Sequence, residues 1–323
     1  MKIKFWGVQG STPNPLSSEQ LQKKIKEILR RAQGRVFASE QDFKNFFEEL
    51  PFPLMRITCG NTTCFEILSD RGTRLIIDMG SGVRKLGLEL MKGQAGRGKA
   101  SLTVLMTHLH LDHIMGFPFF LPAYTPGNKI TFYGGHTYLE EALDRQVHPQ
   151  FFPVRLKDMG AELRFHTLQE GEELAIDDFR ITCKRLQHPG GSYAYRVTEA
   201  GKSLVIATDA EYKELDAEAL QPYVDFYRDA KLLVFDAQYT LKDVITKIDW
   251  GHSSSFIGVD ICLLANVEKL VMTHHDPSYD DDKMTDILRR TENFKQEALK
   301  QSGDFAGKQL EVVTAYEGLE ISV

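Results

Sequence analysis

The segment Leu102-Thr103-Val104-Leu105-Met106-Thr107-His108-Leu109-His110-Leu111-Asp112-His113 runs an apolar stretch straight into four potential metal ligands within six residues. On an extended chain alternate side chains share a face, so His108 and His110 can grip one cation together. A turn after them lets Asp112 and His113 swing toward a second cation nearby. Imidazole mixed with carboxylate suits Zn²⁺ first, with Mn²⁺ or Fe²⁺ as alternatives, in a site that keeps one coordination position open. A blander reading has Asp112 capping a helix that starts near Ile114 while the histidines only fill space. Three histidines and an aspartate at this spacing favour ligation.

Further donors stand where strands end. His188 follows FRITCKRLQ and precedes Pro189-Gly190-Gly191, and Asp209 closes SLVIATD. His274 and His275 follow KLVMT, and His252 sits in Trp250-Gly251-His252-Ser253-Ser254 ahead of a helical pattern. Together they supply enough ligands for two ions, with Asp209 as the shared carboxylate. His274 is preferred to His275 because it directly follows Thr273. Two divalent ions bring four positive charges and Asp112 with Asp209 returns two negative ones, so the pocket favours an anionic substrate. A water on such an ion can reach a pKa of about 7, and paired ions stabilise charge on phosphoryl oxygens, which suits a phosphodiester.

Such ligands need a sheet scaffold to aim them. From Thr62 onward the chain is a series of short β-rich runs: TTCFEILS, TRLIIDMG, SLTVLMTH, KITFYGG, AELRFHTL, FRITCKRL, SYAYRV, KSLVIATD, KLLVFDAQ and EKLVMTH. Helical patterns fall near Val83–Met91, His136–Gln146 and Ser254–Ala265, and a long one covers about Asp282–Lys300. The closing LEVVTAYEGLEISV is predicted to be a hairpin turned at Glu317-Gly318. Strands in both halves with helices between them predict an α/β chain of two sheets packed face to face between helical layers. Ahead of these, the polar stretch Ser18–Glu49 carries two helical patterns broken near Gly34.

The chain has 323 residues, 42% of them hydrophobic, and a net charge of -6. That charge argues against a broad nucleic-acid or anionic-membrane coat, though a local basic pocket is allowed. MKIKFWG lacks the apolar run of a signal peptide, and no stretch approaches the ~20 apolar residues of a membrane span. Cys59, Cys64, Cys183 and Cys262 form no CxxC pair, in keeping with a reducing cytoplasm.

The HxHxDH run, a lone later histidine, a TD at a strand end and a late histidine, in that order, resemble metallo-β-lactamase-fold hydrolases over nearly the whole chain. The resemblance implies one αββα four-layer sandwich domain over residues 1–323, with a helical insertion at about 15–55. It implies that His108, His110 and His188 bind one ion, that Asp112, His113 and His274 bind the other, and that Asp209 bridges them. Asp78 in LIIDMG is usually structural in that family.

Phe235-Asp236-Ala237-Gln238-Tyr239 followed by Gly251-His252-Ser253 is similar to the ribonuclease Z and phosphodiesterase branch, where an acid and a histidine protonate the leaving oxygen or clamp the phosphate. The resemblance makes Asp236 the orienter of His252, and His252 the general acid beside a catalytic Asp112. As an alternative, Asp236 caps a strand and His252 starts a helix. Gly190, Gly191, Ser253 and His275 are further candidates for contact with the substrate.

Ribonuclease Z uses a flexible basic arm to hold tRNA. Here Tyr133–Pro153 reads YGGHTYLEEALDRQVHPQFFP, which is acidic, so a small substrate such as a cyclic nucleotide or cyclic phosphate is expected. The alternatives are a tRNA 3′-processing endonuclease and a non-catalytic nucleotide-sensing module. The helical insertion could serve as a lid, a homodimer contact or a plain outer surface.

Overall fold

Strands that are apolar on both faces can be buried only between two layers, and several here are apolar throughout. The computed structural model describes residues 1–301, 303–305 and 307–323. Among them the first half supplies β1 (Lys2–Gly7), β2 (Cys64–Leu68), β3 (Arg74–Ile77), β4 (Ser101–Met106), β5 (Lys129–Gly134) and β6 (Glu162–Thr167). The second half supplies β7 (Glu173–Ile176), β8 (Phe179–Leu186), β9 (Ser192–Glu199), β10 (Lys202–Ala207), β11 (Leu232–Asp236), β12 (Lys269–Thr273) and β13 (Glu311–Thr314), and β14 (Glu320–Ser322) closes the chain. One sheet has the order β14-β1-β2-β3-β4-β5-β6 and the other β13-β12-β11-β10-β9-β8-β7. In each, the strands from the middle to one edge are parallel (β3 to β6, and β10 to β13) and the others antiparallel.

The helices are α1 (Ser18–Ala32), α2 (Glu40–Glu49), α3 (Phe52–Met55), α4 (Val83–Met91), α5 (Leu111–Ile114), α6 (Leu139–Gln146), α7 (Ala217–Tyr227), α8 (Leu241–Thr246), α9 (Ser255–Ala265) and α10 (Asp281–Gln301). Phe5, Phe65, Ile77, Tyr195, Ile206 and Val271 fill the space between the sheets. Ile76 and Val104 face Leu86 of α4 and Leu143 of α6 on one outer side. Val205 and Leu233 face Val224 of α7 and Val259 of α9 on the other, where Leu288 and Phe294 of α10 join them. These three apolar layers make the αββα sandwich. No described helix is long and apolar enough to cross a membrane.

One expectation is corrected. The terminal LEVVTAYEGLEISV is not a hairpin: β13 runs parallel to β12 in one sheet and β14 antiparallel to β1 in the other. Each sheet has an edge with open N–H and C=O groups, and the segment crosses between the sheets to cover both. Helix α7 escaped notice because Pro222 and the acidic residues around it blur its period, yet Leu220, Val224 and Tyr227 are buried. Between β1 and β2, α1 to α3 occupy the stretch read as an insertion, tied to α10 by Lys24 Nζ–Asp281 Oδ2 at 2.6 Å.

The parallel strands deliver their C-terminal ends to one edge of the sandwich. Asp78 follows β3, Thr107 and His108 follow β4, Asp209 follows β10, Asp236 ends β11 and His274 follows β12. A backbone contact fixes the histidine-rich turn there: Met79 N donates to His113 O and Gly116 N to Met79 O, both at 2.8 Å. A Cβ on Gly116 would lie 2.1 Å from the Gly80 carbonyl oxygen, and one on Gly80 would lie 2.5 Å from that of Asp112. Gly116→Ala is therefore expected to destabilise the protein by about 2 kcal/mol in urea denaturation, the cost of overpacking. Gly93→Ala, whose Cβ would meet only Leu90 O at 3.5 Å, should stay within about 0.5 kcal/mol. Equal effects would show that this contact does not hold the turn.

Candidate metal centre

Two clusters of ligand atoms form at that edge. One is His108, His110 and His188, the other Asp112, His113, Asp209 and His274, and within each cluster the ligand atoms lie within 4.8 Å of one another. Asp209 stands between them: Oδ1 is 3.1 Å from His274 Nε2 and 3.8 Å from His108 Nε2, and Oδ2 is 3.2 Å from His113 Nε2. Asp78, Asp209 and His274 hold φ of 60°, 57° and 60°. This left-handed backbone, which aspartate and histidine tolerate better than most residues, turns each chain just past its strand.

Neighbours set which nitrogen of each ring faces inward. His113 Nδ1 donates to Asp78 Oδ2 at 2.8 Å, leaving Nε2 for the cluster. Asp78 also accepts from Thr107 N and Thr107 Oγ1, each at 2.7 Å, so this buried carboxylate orients a histidine and is no ligand. His188 Nδ1 donates to Gly251 O at 2.8 Å, which turns Nε2 to within 2.9 Å of His110 Nδ1. Asp112 Oδ2 accepts from Ser11 N at 2.8 Å. Sequence reasoning missed Thr107, Ser11 and Gly251, since two of them act through backbone groups.

The donor set fits divalent cations. Among the described residues, buried His108 Nε2 and Asp209 Oδ2 have no hydrogen-bond partner. Burial disfavours charge on Asp209, yet His274, His113 and His108 hold its carboxyl well below the ordinary range. Burial also opposes charge on His274, but Asp209, Asp112 and Asp236 push its pKa up to about 9. Buried carboxylates that draw protons onto ligand histidines mark a place for positive charge.

Next to both clusters, His252 Nδ1 donates to Asp236 Oδ2 at 2.9 Å, and Asp236 accepts from Ala210 N and Gln238 N. His252 offers a ligand atom within 4.8 Å of those of His188 and Asp209. Two expected substrate contacts are redirected. Ser253 is fully buried, its hydroxyl donating to Ala210 O at 2.5 Å. His275 is buried and donates through Nε2 to Ala315 O at 2.8 Å, and burial pushes its pKa down to about 4. Gly190 and Gly191 both line the cleft beside His110, although the Gly191 N–H is taken by His188 O at 2.8 Å. His108, His110, His136, Tyr138, Glu141, Arg145 and Gly190 line a cleft of about 460 Å³ that opens off the first cluster.

Residues 73–275 match the family model of the beta-lactamase superfamily domain. The chain is 25% identical over 267 residues to a ribonuclease Z from Picosynechococcus sp., covering 66% of this chain and 78% of that protein. By fold it is similar to the metallo-beta-lactamase fold protein YhfI from Bacillus subtilis (TM-score 0.61, 17% identity, 99% of this chain and 98% of that one). It is likewise similar to a diphosphatase from the PhnP family (TM-score 0.58, 16% identity, 100% of this chain and 97% of that one).

The charge balance makes a pH prediction. An unfolded histidine titrates near 6.5, so the proton on His274, lost only near pH 9 in the ion-free fold, stabilises that fold fully below pH 6.5. This contribution disappears as pH rises from about 6.5 to 9. Asp112, held low by His113 and His274 against the effect of burial, works oppositely: its contribution is present above pH ~4 and lost as pH falls further. A divalent cation supplies the charge that the proton otherwise supplies. The gain in Tm on adding Mn²⁺ to chelator-treated protein should therefore grow from pH 6.5 to pH 9, and a gain independent of pH would contradict the assignment.

Proposed function

Because the chain belongs to the beta-lactamase superfamily, we propose that it is a hydrolase using two divalent cations, and that its substrate is a small phosphodiester such as a cyclic nucleotide or cyclic phosphate. The observation that carries this reading is the His252–Asp236 pair beside His188 and Asp209, which sets a proton donor next to the two ligand clusters. His108, His110 and His188 would hold one ion and Asp112, His113 and His274 the other, with Asp209 shared. Once bound, Zn²⁺ or another divalent ion supplies Lewis acidity and lowers the pKa of a water to about 7.

The protein's own groups complete the chemistry. Asp112, fixed by Ser11 N–H and facing His113 and His274, would orient the attacking water by accepting a hydrogen bond from it. His252 gives its proton to the leaving oxygen through Nε2, since Nδ1 is committed to Asp236. The negative charge left on Asp236 offsets the imidazolium before transfer and keeps the ring in place. The limited size of the cleft, about 460 Å³ and walled on one side by Tyr138, Glu141 and Arg145 at α6, supports a compact substrate over a folded RNA. The similarity to ribonuclease Z favours a second reading, cleavage of precursor tRNA at its 3′ end.

The two readings part on substrate. The Mn²⁺- or Zn²⁺-loaded protein should hydrolyse bis-p-nitrophenyl phosphate and cyclic mononucleotides. His252→Ala should lower kcat on cyclic mononucleotides, whose alkoxide leaving group needs a proton, by about 10²–10⁴-fold, the usual worth of a general acid, while bound metal stays constant. Hydrolysis of precursor tRNA with no turnover of small diesters would replace the first reading by the second. An unaltered kcat on cyclic mononucleotides in His252→Ala would remove the general acid.

A further inference from the structure

Glu211 belongs to neither ligand cluster and has no part in the chemistry above, yet it is a carboxylate with only 7% of its surface exposed. Burying a charge is unfavourable unless hydrogen bonds replace the lost water. Oε1 accepts from Asp249 N at 3.0 Å and Oε2 from Gly251 N at 3.3 Å. The backbone N–H of Glu211 donates to Gln187 O at 2.8 Å, so one residue joins the strand end carrying Asp209 to two other segments.

Those segments carry His188 and His252. Gly251 O is the acceptor for His188 Nδ1, and a Cβ on Gly251 would lie 2.3 Å from that nitrogen. His252 is the next residue. Hydrophobic burial does little to hold this stretch, because Ile245, Ile248 and Trp250 are 68%, 61% and 63% exposed. Polar contacts must hold it, and several of them come from alternate residues after β10. Asp209 faces the clusters, Glu211 takes the two amides, and Lys213 pairs with Asp249 at the surface. Ala210 and Tyr212 between them are buried in the core beside Tyr227 and Phe235.

We propose that Glu211 is a positioning residue that sets the place of the Gly251 carbonyl and of His252, and so governs both cation affinity at the His108-His110-His188 cluster and proton delivery. The second half rests on the phosphodiesterase reading; the first does not. Charge-assisted bonds to backbone amides are stronger than neutral ones, and glutamine can keep only one acceptor there. Glu211→Gln should thus lose one of the two amide bonds, and Glu211→Ala both.

The test compares wild type, Glu211→Gln and Glu211→Ala by Co²⁺ titration, followed by visible absorption, and by hydrolysis of two diesters with p-nitrophenyl and alkyl leaving groups. Co²⁺ affinity of one site should fall by about 10–100-fold in Glu211→Ala, as for other groups that orient a ligand histidine, while the other site keeps its affinity. Glu211→Gln should fall between that variant and wild type. The alkyl ester, which needs the proton more, should slow more than the p-nitrophenyl ester, with KM little changed. Co²⁺ affinities within twofold of wild type in a folded Glu211→Gln protein, together with equal slowing of both esters, would overturn the proposal. If wild type hydrolyses neither ester, the phosphodiesterase reading fails, and the Co²⁺ titration alone decides whether Glu211 positions His188.

Discussion

Two aspartates, Asp112 and Asp209, lie buried among histidines at one edge of the sandwich, and the local structure is organised by the positive charge they demand. Each sits within hydrogen-bonding distance of His274, and both approach His113. Replacing this cluster with apolar side chains would serve the stability of the fold better, because buried charges seldom repay their desolvation. Retaining them makes sense where a cation completes the balance. Asp209, Asp112 and Asp236 push the pKa of His274 up to about 9 against its burial.

The fold meets the demand by bringing strand ends together. Parallel strands must point the same way, so β3 and β4 in one sheet and β10 to β12 in the other open onto one edge, where side chains from distant parts of the chain converge. Left-handed backbone at Asp78, Asp209 and His274 aims them, and such conformations persist only where surrounding structure overdetermines them. Here it does: Gly80 and Gly116 admit backbone on backbone, and the Asp78 carboxylate closes a ring of bonds through Thr107 and His113. The candidate ligands are thus held at strand ends whose backbone is fixed by close packing and hydrogen bonds.

What could be read from the amino-acid sequence follows the same division. Strands of β-branched and apolar residues ending in Asp or His announced the sheets, because alternation and burial are local properties, whereas the division of those residues into two ligand clusters came from the resemblance to metallo-β-lactamase-fold hydrolases. His274 could be preferred over His275 from its place after Thr273, and the structure turns His275 away to Ala315. Contacts made by backbone groups were not readable: the Gly251 carbonyl on His188, the Ser11 amide on Asp112, the Gly191 amide already spent on His188. The split of the terminal strands was hidden for another reason. Glu317-Gly318 is a sound hairpin turn in isolation, and only the presence of two open sheet edges sends its arms to different partners.

His252, the proposed proton donor, is held differently from the residues of the two clusters. His252 follows a stretch whose large apolar side chains face outward, and it is fixed by Asp236, by the Ser253 hydroxyl on Ala210 O and by the amides that Glu211 accepts. A segment tied down by a few polar contacts can change its sequence between those contacts without disturbing a core. Strand ends have no such freedom, since any shift there moves a ligand. Related sandwiches can therefore keep one cation site and vary the group that completes the reaction, and the features that decide the substrate should be sought on α6, on the turn at Gly190 and on the residues leading to His252, outside the two clusters.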